Sequence, residues 1–88
     1  MWSFSQHIQK RLKQRNISKN EVLSIVNNDV DVIIINSPQD ELVNLYFGYI
    51  NEKYIIVVVN KISHNLITTR KMNKKEKTIF IQEIKNVK

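Results

Sequence analysis

Tyr54-Ile55-Ile56-Val57-Val58-Val59 is the stretch on which the fold turns. Six consecutive aromatic and aliphatic residues leave no polar position for alternation, so a strand built from them is apolar on both faces. Such a strand belongs at the centre of a sheet. Working back from it, Asn51-Glu52-Lys53 is a short hairpin connection to a strand over residues 44–50, which carries Tyr46, Phe47 and Tyr49. Gly48, the only glycine, falls inside that strand, where a bulge or a close backbone approach is the usual reason. Residues 30–36 are apolar and β-branched, and Ser37-Pro38-Gln39-Asp40 breaks them. Working forward, residues 61–65 turn the chain into a last strand over 66–71. Connections this short make antiparallel neighbours the default, so the last three of these strands form a meander.

The flanks of the chain read as helices. Ser3 or Ser5 caps a first helix running to about residue 15, with Phe4, Ile8 and Leu12 at four-residue spacing. Ser18-Lys19-Asn20-Glu21 is a capping box, flanked by Ile17 and Val22 as a hydrophobic staple, and opens a second helix over residues 19–27. Asn73-Lys74-Lys75-Glu76 repeats the cap-plus-acid pattern and opens a C-terminal helix with Ile79, Phe80, Ile81 and Ile84. The expectation is one α+β domain over residues 1–88. Two N-terminal helices pack on a four-stranded, mostly antiparallel sheet, and a C-terminal helix is available for the other face.

Composition narrows the function classes. The chain has 88 residues and no cysteine, so neither a disulfide nor a thiolate metal site supports its core. Polar and basic groups interrupt the first fifteen residues too often for a signal peptide, and the longest apolar run is too short to span a bilayer. A soluble, cytoplasmic protein is expected. Fourteen Lys and Arg against eight Asp and Glu give a net charge of +6. That balance favours polyanionic partners such as RNA. It equally suits a gene whose base composition favours Lys, Asn and Ile codons. One glycine cannot build a phosphate loop or a dinucleotide fingerprint, and His7 and His64, far apart in the chain, make a poor metal pair. No metal or cofactor is expected.

The chemistry-bearing residues are cationic. His7, Arg11 and Arg15 recur at four-residue spacing and line one edge of the first helix. An imidazole beside two guanidiniums can hold a phosphodiester and move a proton near neutral pH. The same spacing also describes a solvated helix face. Lys10 and Lys13 belong to the same basic cluster; Lys71, Lys74, Lys75 and Lys77 accompany Arg70 in a second one. Alternation places Thr68 and Arg70 on one face of the last strand and Thr69 and Lys71 on the other. Arg70 suits a phosphate or, equally, protection of a sheet edge. The strand tyrosines are either base-stacking groups or core residues with wet hydroxyls. Trp2 either packs on the first helix or serves a partner.

These residues carry a resemblance. Phe4-Ser5-Gln6-His7, then Arg11, then Arg15-Asn16-Ile17-Ser18, resembles the opening of small bacterial proteins whose first helix reads His-x-x-x-Arg followed by Arg-Gly-Ile-Ser. Ile67-Thr68-Thr69-Arg70-Lys71-Met72, followed by Lys75-Glu76, is similar to the end of BrnT toxins. The uncharacterised domain-of-unknown-function relatives of BrnT match the first helix better. The resemblance implies a RelE-like toxin fold. It also implies a metal-independent ribonuclease, silenced by an antitoxin protein, that cleaves RNA by attack of the 2′-hydroxyl. Carried over by position, His7, Arg11 and Arg70 become the catalytic candidates, with Arg15, Lys71, Lys10 and Lys74 binding RNA phosphate. Asn16 stands where the family has glycine, and asparagine also tolerates a left-handed backbone. No residue matches a catalytic carboxylate. Beside the toxin reading stand a non-catalytic RNA- or protein-binding module and a homodimeric structural domain.

Overall fold

The central strand does have a layer on each face. A computed structural model describes residues 1–87. Its elements are β1 (Ser3–Phe4), α1 (Gln6–Arg15), α2 (Lys19–Val26), β2 (Val32–Asn36), β3 (Val43–Ile50), β4 (Lys53–Asn60), β5 (Asn65–Lys71) and α3 (Lys74–Val87). The sheet order is β1-β5-β4-β3-β2. All pairings are antiparallel except β1 with β5, which is parallel. Among the described residues the fold is therefore α+β with three helices and a five-stranded mixed sheet. The sequence reading lacked one strand because β1 is two residues long. A segment that short has no period to detect, and it ends directly against the cap of α1.

Side-chain alternation divides β4 between two cores. Ile55, Val57 and Val59 face α1 and α2, together with Ile8, Leu12, Val22 and Ile25. Ile56 faces α3 and packs with Met72 and Phe80. Gly48 permits a close approach: a Cβ there would lie 2.8 Å from Cγ1 of the fully buried Ile25, so α2 rests on the bare backbone of β3.

The bulge lies elsewhere, in β5. Val59 opposes Leu66, but Val58 opposes Thr68, so Ile67 is the extra residue. Leu66 and Thr69 consequently share the face of α1 and α2, whereas Thr68 and Arg70 face α3.

Both N-caps of the N-terminal helices act as the sequence implies. The Ile8 N–H donates to Ser5 Oγ at 3.0 Å, and Ser5 Oγ donates to the Ile67 carbonyl at 2.7 Å, which anchors α1 to the bulge. Ser18 and Glu21 form both bonds of the capping box. Asn16 ends α1 in the left-handed region at φ 55°. Trp2 packs against the end of α2, its Nε1 donating to Asn27 Oδ1 at 2.7 Å. No helix among the described residues is long and apolar enough to cross a membrane.

Candidate functional site

The first twenty residues contain no Asp or Glu, and Lys10, Arg11, Lys13, Arg15 and Lys19 all lie among them. Helical geometry distributes these cations. Ile8 and Leu12 are buried against the sheet, so Lys10 points away from it. Gln9, Lys13 and Asn16 fall on the flank facing α2, and His7 and Arg11 on the opposite flank. The expected row therefore runs along one edge of α1, with His7 and Arg15 exposed and Arg11 half-buried. Arg11 Nε approaches His7 Nε2 at 3.4 Å, and its guanidinium also donates to Gln14 Oε1 at 3.0 Å.

Glu21, a carboxylate in the hollow between α1 and α2, is already committed. It is only 5% exposed. It accepts from the Ser18 N–H at 2.9 Å, from Asn51 Nδ2 at 2.8 Å and from Lys53 Nζ at 3.0 Å. Burial alone would raise its pKa. The Ser18 and Asn51 bonds and the Lys53 ammonium outweigh burial and hold it at about 2. Lys53 also donates to the Asn16 carbonyl at 2.7 Å, closing the end of α1. Between α1 and α2 lies a hollow of about 600 Å³, with Leu12 and Ile17 among its lining and Lys13, Lys19 and Lys53 as its cations.

Arg70 does not join His7 and Arg11. The bulge at Ile67 turns it to the α3 side of the sheet, where it opposes Ile56. There its guanidinium forks onto Glu76, with both N–O distances 2.8 Å. This fork holds the Glu76 carboxyl below its usual range against burial, with help from the Asn73 N–H. It also raises the pKa of Arg70. A shared anion between Arg70 and the first helix, the geometry on which the three-residue site rests, is thus corrected to an ion pair between β5 and α3. Lys74, in the first turn of α3, lies in that same layer. Lys71 opposes Ile55 and is exposed on the α1 side. His7, Arg11, Arg15, Lys10 and Lys71 therefore share one side of the sheet, and Arg70 and Lys74 the other. Among the described residues no group of three His, Cys, Asp or Glu side chains is placed to hold a metal.

Sequence reasoning missed Lys53 and Asn51 as partners of Glu21. The capping box announces Glu21, but no local signal ties it to a turn some thirty residues away.

Residues 4–69 match the family described as Domain of unknown function (DUF4258). The chain belongs to that family. The DUF4258 match runs from β1 to Thr69, so it includes the cationic helix and stops before Arg70. No curated protein and no solved structure matches the chain.

Proposed function

We propose that the chain binds RNA through the cationic surface of α1, with Arg11, Arg15 and Lys10 as phosphate contacts and Lys71 beside them. The observation that carries this reading is the lack of compensation. Every charged side chain from Met1 to Asn20 is basic, and the carboxylate of Glu21, between α1 and α2, is held by Lys53. A surface of this kind recruits polyanions and releases counterions on binding. The likeness of the opening helix to the BrnT relatives favours RNA as the polyanion.

Fluorescence anisotropy with a single-stranded RNA oligonucleotide over a salt series tests it. Three phosphate contacts give a log–log salt slope of about −2 for a single strand. Arg11→Gln and Arg15→Gln each weaken binding and flatten that slope, whereas Arg70→Gln leaves both close to the parent. Binding that ignores salt, or that Arg70→Gln weakens as much as Arg11→Gln, overturns the assignment.

A second reading adds cleavage, and the contact between His7 and Arg11 favours it. His7 would take the proton of a ribose 2′-hydroxyl as its oxygen attacks the adjacent phosphorus. The bond from phosphorus to the 5′-oxygen then breaks, that oxygen takes a proton from water, a 2′,3′-cyclic phosphate remains, and Arg11 and Arg15 stabilise the extra charge on phosphate. An activity of this kind makes the chain a metal-independent toxin requiring an antitoxin partner. It predicts growth arrest on expression and RNA cleavage that survives EDTA. Intact RNA after long incubation with protein that binds it leaves the binding module alone.

A further inference from the structure

The far edge of the sheet has the opposite electrical character. From Asn20 to Glu52 the chain contains no Lys, Arg or His, but six acids. Asp29 and Asp31 lead into β2, and Asp40 and Glu41 follow it. β2 is the outermost strand. Ser37 N–H donates to the Val43 carbonyl, and the register of β2 with β3 continues from that pair. Ile33 and Ile35 therefore exchange ladder bonds with β3. The backbone groups of Val32, Ile34 and Asn36 point outward from the sheet.

The side chains of this edge are apolar on both faces. Ile34 is 45% exposed on the α2 side, and Ile35 is 44% exposed on the α3 side, near Ile79 at 48%. β2 carries no Lys or Pro, the residues that usually blunt such an edge. Between β2 and α3 lies a hollow of about 140 Å³, walled by Ile33, Ile35, Phe47, Ile79 and Phe80, with Glu76 and Glu83 also in its lining. Its size suits one aliphatic or aromatic side chain, and it lies where alternate residues of an added strand would point.

We propose that β2 is a docking edge for an extended, cationic and aliphatic peptide segment of another protein, which adds as a sixth strand and drops one apolar side chain into the hollow. Charge complementarity selects this occupant. Two copies of the chain paired β2 to β2 would bring like acids together, whereas a segment with Lys or Arg between its apolar residues meets the acids leading into and out of β2. Lys85, in the hollow beside Asp29 and Asp31, offsets part of that charge. The site uses none of the residues assigned to RNA, so the two readings stand or fall separately.

The probe is the synthetic peptide acetyl-KIKVKIK-amide, with acetyl-EIEVEIE-amide as its charge-inverted control. Isothermal titration gives saturable binding of the first, at least tenfold tighter than the second, and hydrogen exchange slows at the Ile34 amide. Ile34→Pro removes the central outward N–H without touching the ladder to β3, and weakens the probe at least tenfold. Ile79→Lys, an exposed change at the hollow, does the same by repulsion and tests the site should the proline variant not fold. Equal binding of the two peptides, undiminished binding by Ile79→Lys, or no saturation overturns the proposal. So does a dimer in sedimentation that Ile34→Pro dissolves, because the edge would then belong to a second copy.

Discussion

Replacing Glu21 with glutamine tests the junction that positions α1. The carboxylate joins the start of α2, the Asn51 turn and, through Lys53, the end of α1. Its pKa falls from 4.5 to about 2 on folding. That difference corresponds to about 3 kcal/mol of stability near neutral pH. Because the folded pKa is depressed, the contribution is complete above about pH 5 and is lost as pH falls through about 2. Glutamine keeps the shape and one acceptor but not the charge. Glu21→Gln is therefore less stable by up to about 3 kcal/mol near pH 7, or roughly 12–24 °C in Tm for a domain of this size. Urea unfolding followed by circular dichroism at several pH values provides the assay. The gap between parent and variant narrows to below about 1 kcal/mol near pH 2.5. Glu76, whose pKa is also lowered, is common to both proteins and cancels in the difference. A gap under about 0.5 kcal/mol at neutral pH, or one that does not narrow in acid, refutes the reasoning.

Gly48→Ala forces a methyl group against Ile25, which is fully buried, and costs about 1–3 kcal/mol in chemical denaturation. Ser5→Ala removes both the α1 cap and the bond to Ile67, lowering stability by about 1–2 kcal/mol in the same assay. Arg70→Ala breaks an ion pair whose side chains are 47% and 22% exposed, so thermal melts shift by no more than about 1 kcal/mol equivalent. Thr69→Val deletes a buried hydroxyl that donates to the Ile56 carbonyl at 2.9 Å and costs about 1 kcal/mol.

The parts of the fold legible in the sequence are those with a local signature. The apolar run in β4 located the sheet centre, and the Ser18–Glu21 box gave the start of α2. The cap before α3 is also as read: Asn73 Oδ1 accepts from the Glu76 N–H, and Glu76 accepts from the Asn73 N–H, both at 2.8 Å. The alternation of Thr68 to Lys71 was legible, but which helix each face meets was not. That depends on one bulged residue upstream. Without it, Leu66 and Arg70 would share the face of α1 by simple period two. Gly48 announced a close approach, but only the tertiary arrangement shows that Ile25 is the neighbour. The cationic helix was legible in full, because its charges lie within a few residues of one another and a helix displays them wherever it lies.

The separation of basic α1 from the acids that flank β2 at the opposite rim gives the molecule a permanent electric moment across its sheet. In the field of a long polyanion such a body experiences a torque as well as an attraction, and it turns before it touches. It arrives with the opening helix leading and β2 trailing toward solvent. A molecule oriented in this way keeps its trailing rim accessible while its leading surface is occupied.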